Sequence, residues 1–169
     1  MALSAGEPPA RRGYPASVFE QLPRLLERPG RTHHGSITAF YTVLLEDEDE
    51  ADAVGEEVKS LLDGHIHLSS KLAARGQFPA IDILRSGSRL FHALADEQQQ
   101  RAARAVRGSL ATLDDMQLMR DLGEYRPGIS AHYDDAVKRE PALTAFLAQR
   151  RDEASGLQHA REALHALAG

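Results

Sequence analysis

The chain has 169 residues with a net charge of −5, 42% apolar and 27% charged residues. This is enough for one ordinary domain, or one and a half small ones, with the balance of a soluble globular protein rather than a disordered or membrane-spanning one. The acidic balance argues against a general nucleic-acid binder, and no apolar run approaches the roughly 20 residues that cross a bilayer. Without cysteine there are neither disulfides nor thiolate metal sites.

The first residues, Met1 to Glu7, lack the basic and apolar regions of a secretory signal. Residues 6–15 hold three prolines and two glycines and are expected to form a loop, in which Arg11 and Arg12 either fray into solvent or meet an acidic partner or a phosphate. Ser17 to Arg28 reads as a helix capped by Ser17, with Pro23 expected to kink or divide it and Pro29-Gly30 to stop it. His33 and His34 follow in a loop. With no carboxylate nearby, they are read as solvated rather than as metal ligands.

Gly35 to Leu45 is a near-continuous run of β-formers, predicted as a strand buried on both faces of a parallel sheet. It empties into the acidic run Glu46 to Glu50, which lacks the glycine hinge and ligand spacing of a calcium loop. Asp52 to Leu62 has the period of a short amphipathic helix with Val54, Val58, Leu61 and Leu62 inward. His65 to Leu68 is a short strand with both histidines on one face. Such a pair can chelate a metal, but with no third ligand evident it is read as structural or surface. Ser69 should cap a brief helix ended by Gly76.

Gln77 to Arg89 follows: an aromatic-proline pair, a short apolar run, and a small-residue bend ending in arginine. From Asp96, a predicted cap, the period becomes helical, with one helix expected from Glu97 to about Leu122 and a stripe of Val106, Leu110, Leu113 and Met116. Further helices are expected from Tyr133 to about Glu140, from Ala142 onward, and from Leu157 to Leu167. The fold class is α/β followed by all-α, divided at residues 1–90 and 91–169.

Three stretches together, residues 6–19, 35–44 and 60–89, resemble the type III secretion and flagellar protein-export ATPases, relatives of the catalytic subunit of rotary ATP synthases. Gly123-Glu124-Tyr125 before Pro127-Gly128 fits the same pattern in the helical part. The resemblance implies the C-terminal part of a RecA-like ATPase core over residues 1–90 and a helical bundle over 91–169. It implies a homo-hexameric motor that uses ATP and Mg2+ in the bacterial cytoplasm at the base of a secretion apparatus. Its partners would be a central stalk protein, a stator or regulator, secretion chaperones and export substrates, with no nucleic acid and at most peripheral membrane association.

By the same resemblance, Arg89 matches the arginine finger that a subunit lends to its neighbour's nucleotide. Arg85, placed one helical turn earlier, is a secondary candidate. Phe78, with Pro79, matches the adenine-stacking position, where tyrosine is more usual, and Tyr125 is a further nucleotide contact. Gly6, Glu7, Pro8, Arg11, Arg12 and Tyr14 match the loop facing the pore and stalk. Without the family, Phe78 would pass for a core residue and Arg89 for a surface cation. Ala16, Pro29, Ser70 and Gly87 depart from the family pattern. No Gly-x-x-x-x-Gly-Lys-Ser/Thr loop occurs in these residues. The expectation is therefore a C-terminal segment that does not hydrolyse ATP alone and that has exposed strand edges. The alternative is a truncated paralogue or gene remnant acting as a binding module.

Overall fold

The computed structural model describes residues 9–11, 14–45 and 52–168. The chain packs as two units, Met1–His65 and Ile66–Gly169.

In the first unit, β1 (Pro9–Arg11) and β2 (Tyr14–Pro15) form an antiparallel ribbon with Arg11 opposite Tyr14. The expected loop is thus a hairpin. Proline lacks the ladder donor, and a two-stranded ribbon, which is all edge, tolerates it where a central strand would not. Gly6, Glu7, Pro8 and Arg12, and the side chain of Arg11, lie outside the described residues, as does the acidic run 46–50.

Helix α1 (Ala16–Leu26) starts after extended Pro15, so Ser17 is not its cap. It runs unbroken through Pro23, against expectation. Proline removes one ladder bond near the C-terminal end, and the helix continues because Glu27 N donates to Pro23 O at 2.9 Å and because α1 packs on α2 (Ala53–Leu61). Asp52 caps α2 by accepting from Gly55 N at 2.7 Å, and Val58 is buried while Val54, Leu61 and Leu62 are half-buried.

The strong strand signal from 35 to 45 is the largest departure. Only Gly35–Ile37 is a strand, β4, paired antiparallel with β3 (Gly30–Thr32) around a His33-His34 turn, and all of its residues are exposed. Residues 38–45 are irregular, with Phe40 89% and Leu44 91% exposed. The predicted parallel, doubly buried strand does not form because no described strand of the chain lies alongside it. A β-propensity has no ladder to enter without a neighbour.

In the second unit, β5 (Gly64–Leu68), whose first two residues belong to the first unit, pairs with β6 (Ile81–Ser88). Period-two alternation holds in β5, but it buries His67 and half-buries His65 while Ile66 and Leu68 face out. Helix α3 (Ser70–Ala74) is capped by Ser69, as expected. After α4 (Phe91–Leu94) come α5 (Glu97–Asp115), α6 (Gln117–Asp121), α7 (Ala131–Leu147) and α8 (Leu157–Ala168). Asp96 caps α5, accepting from Gln99 N at 2.8 Å.

Helix α5 packs against both α7 and α8, burying Ala102, Val106, Ala136 and Leu143. The single helix expected over 97–122 is broken at Met116, whose side chain is 0% exposed. Helical period persists across a one-residue turn, so it gives no sign of the break. Pro141 divides nothing either: α7 crosses it, held by buried Ala136 and Leu143 on either side and by the Arg120–Glu140 ion pair at 2.9 Å.

Candidate functional site

Phe78 is displayed by a closed loop. Helix α3 ends in a Schellman motif in which Gly76, at φ +78°, donates to Ala73 O at 2.9 Å and Gln77 N donates to Leu72 O at 3.1 Å. The base is sealed where Ser69 N donates to Ala80 O at 2.8 Å. At the end of this loop Phe78, joined to Pro79 by a cis peptide, is 57% exposed, and its carbonyl accepts from Gln149 N at 2.8 Å. Gln149 opens the α7–α8 connection, which is tied to itself. The Arg150 guanidinium donates twice to Asp152, at 3.0 and 2.9 Å, and holds that carboxyl below the usual carboxylate range.

Tyr125 is displayed the same way. Helix α6 ends in a second Schellman motif, with Gly123 at φ +71° donating to Arg120 O at 3.0 Å and Glu124 N to Met119 O at 2.9 Å. Phe78 and Tyr125 are each the second residue past a left-handed glycine. A side chain at that glycine would meet open space, so it is the backbone conformation that calls for glycine there. Tyr125 Oη donates to Asp134 Oδ1 at 2.7 Å, which raises the phenol's pKa, and Gly128 N donates to Asp134 Oδ2 at 2.8 Å. One carboxylate in the first turn of α7 therefore clamps the whole 123–128 loop.

Arg89 occupies the turn between β6 and α4 and is exposed. Before it, β6 is curled by its own side chains. Asp82 Oδ1 accepts from Leu84 N at 2.9 Å and Arg85 N at 3.0 Å, while Ser86 Oγ donates to Asp82 O and accepts from His67 N at 2.9 Å. Arg85 thus lies on this strand, not on a helix turn before Arg89. Arg107 of α5 donates to Ser86 O at 3.0 Å and Leu84 O at 3.4 Å, and Gln100 of α5 grips α4 on the other side. Phe78 and Arg89 stand at opposite ends of β6. The eight residues between those ends would span about 25 Å if fully extended.

Of the pore-loop candidates, Tyr14 is half-buried in β2 and Arg11 ends β1. Among the described residues, no three His, Asp or Glu side chains converge as a metal site would require, and no helix is long and apolar enough to cross a membrane. The sequence reading missed Asp134, Gln100 and Arg107 as supports of the site. An acidic residue in a helix's first turn was a legible sign only for Asp134.

Residues 1–88 match the model of the ATP synthase alpha/beta family, nucleotide-binding domain, and residues 95–166 match that of the T3SS EscN ATPase C-terminal domain. The chain is 56% identical, over 149 residues, to the SPI-1 type 3 secretion system ATPase of Salmonella typhi, covering 88% of this chain and 35% of that protein. It superimposes with a TM-score of 0.92 and 41% identity on the assembled ATPase EscN from the enteropathogenic E. coli type III secretion system, covering 99% of this chain and 41% of that one. A structure of EscN in complex with its central stalk EscO gives 0.84 at 40% identity, covering 99% of this chain and 40% of EscN. The chain spans between 35% and 39% of the length of the curated relatives it matches.

Proposed function

Because the chain belongs to the ATP synthase alpha/beta family, in its type III secretion branch, we propose that it forms the C-terminal part of an ATP-hydrolysing motor that energises protein export. Residues 1–90 would complete the nucleotide-binding core and 91–169 the helical domain. In the assembled hexamer Phe78, with Pro79, stacks on the adenine of the subunit's own nucleotide, and Tyr125 lines the same region. Arg89 reaches the nucleotide of the adjacent subunit and stabilises charge that develops on the transferred phosphoryl group.

The observation that carries this reading is the placement of an exposed aromatic and an exposed cation at opposite ends of β6, a separation that suits two different nucleotides better than one. An aromatic face suits any purine through stacking, and a guanidinium suits phosphate oxygens through its fork of donors. No residue here is assigned to magnesium or to the β- and γ-phosphate cradle, because these residues contain no phosphate loop. The 169 residues alone are therefore expected to show no ATPase activity. The segment around Tyr14 faces the ring's pore, where a central stalk protein of the kind bound to EscN passes. Chaperones and export substrates engage the complete motor in the cytoplasm, at the base of the secretion apparatus.

The test is made in a complete motor, with this chain joined to an upstream segment that carries a phosphate loop. Arg89→Ala should lower kcat by about a thousandfold or more while ATP binding is retained, the effect of losing an arginine finger. Turnover near that of the unaltered motor removes the assignment.

A further inference from the structure

The corner that carries Arg89 is gripped by α5 on both flanks, in addition to the pairing of β6 with β5. Gln100 donates from its amide to Ala95 O at 2.8 Å and to His92 O at 3.1 Å, and its Oε1 faces His92 Nδ1 at 3.2 Å. A carboxamide oxygen can only accept, so His92 carries its proton on Nδ1, and all three contacts of Gln100 are satisfied. Arg107 donates from Nη2 to the carbonyls of Ser86 and Leu84. Gln100 and Arg107 are seven residues apart on α5, two helical turns and about 10 Å along its axis, so both project from one face. In sequence, their targets bracket Arg89: Leu84 and Ser86 before it, His92 and Ala95 after it.

We propose that Gln100 and Arg107 are positioning residues which hold the β6–α4 corner at both ends and so set where the Arg89 guanidinium arrives. The inference rests on the finger reading above. Arginine has a long, entropically costly side chain, and a cation that must meet a neighbour's phosphate needs its Cα fixed by something other than the phosphate. β6, held in a two-stranded sheet with β5, and α4 supply little of this by regular structure. The first is curled by Asp82 and Ser86, and the second is a single turn of four residues. Apolar packing at the corner is partial, since Leu90 and Leu94 are both exposed and Phe91 is half-buried. Polar staples from the 19-residue α5 supplement it. The same helix packs against α7 and α8, so a movement of the helical domain that carries α5 with it reaches the corner through these two attachment points.

The test has two arms. In the 169-residue chain, amide exchange across residues 84–95 is compared for Gln100→Met and Arg107→Met, which keep the apolar stems and lose the donors. Both should exchange faster there than the unaltered chain, with Arg107→Lys intermediate because a shorter cationic donor group remains. In the complete motor each Met variant should lose on the order of tenfold in kcat with KM for ATP within about twofold, the signature of an interaction made only in the transition state. Placed in an Arg89→Ala background, the same substitutions should cause no further loss, because they act through the residue already removed. Unchanged exchange over 84–95, or a kcat loss that persists undiminished without Arg89, overturns the proposal while leaving the finger intact. Normal turnover of Arg89→Ala alone overturns the finger reading, and the functional part of this one with it.

Discussion

Residues 35–45 and residues 84–100 show two opposite relations between sequence and structure. The first stretch is the richest in β-formers in the chain, yet past Ile37 it forms no ladder and leaves Phe40 and Leu44 almost fully in solvent. The second has a weak, mixed signal, yet both its flanks are tied by named side chains, Asp82 and Arg107 at residues 84–86 and Gln100 at His92 and Ala95. A strand's stability is a property of its neighbours, which a single segment cannot supply. Side chain to backbone bonds from an adjacent helix are complete within the chain, and they fix a geometry that propensity does not encode.

The largest loss of stability is expected at the centre of the helical unit. Met116→Ala should cost about 2–5 kcal/mol, because it empties a site with no exposure. Thermal or urea unfolding of the 169-residue chain would measure it. Phe40→Ser, by contrast, should change stability by less than about 0.5 kcal/mol, since almost nothing is buried there to lose. The same substitution should make the chain less prone to self-associate, because it removes an exposed apolar side chain from a β-prone run. A large destabilisation by Phe40→Ser would mean that this stretch is held by contacts that its exposure does not reveal.

A smaller effect is expected at the Arg120–Glu140 pair, which joins α6 to α7 with both side chains about one-third exposed. Arg120→Ala should cost about 1 kcal/mol or less, reduced further by salt, as partly exposed ion pairs do. The Asp134 clamp has a spectroscopic signature instead. Tyr125 donates to Asp134 only as the neutral phenol, so its pKa is raised in the folded chain. The stability this bond gives is fully present below the ordinary tyrosine range of about 10 and is lost as pH rises through the folded value. Alkaline absorbance titration should therefore show a late component from Tyr125, which Asp134→Ala moves back towards the ordinary value.

The smallest effect lies on the surface of α2, where Lys59 holds Glu56 at 2.8 Å and lowers its pKa. That contribution is present above the ordinary glutamate range and is lost as pH falls through the lowered value. Glu56→Gln should alter stability at neutral pH by no more than about 0.5 kcal/mol.

Local chemistry was the legible part of this fold. Ser69 and Asp96 cap helices where their side chains announced it, and Gly76 and Gly123 end helices because left-handed backbone favours glycine. Pro23 and Pro141 misled because a proline removes one hydrogen bond, and tertiary packing on both sides outweighs it. The run at 35–45 misled because its predicted partners are not among the described strands. At the candidate site, Phe78, Arg89 and Tyr125 came from family resemblance. The residues that hold them came only from the structure. Gln100 and Arg107 look like ordinary solvated helix residues until β6 and α4 are seen to lie under their donors.

The claim that Arg89 serves a neighbour's nucleotide can be tested by placement. The chain contains no cysteine, so Arg89→Cys introduces its one thiol. In a complete motor with a cysteine-free upstream segment, an ATP analogue carrying a thiol-reactive group on its γ-phosphate should label that position in assembled rings and leave it unlabelled in monomers. Labelling that is absent from rings, or equal in rings and monomers, would contradict the claim.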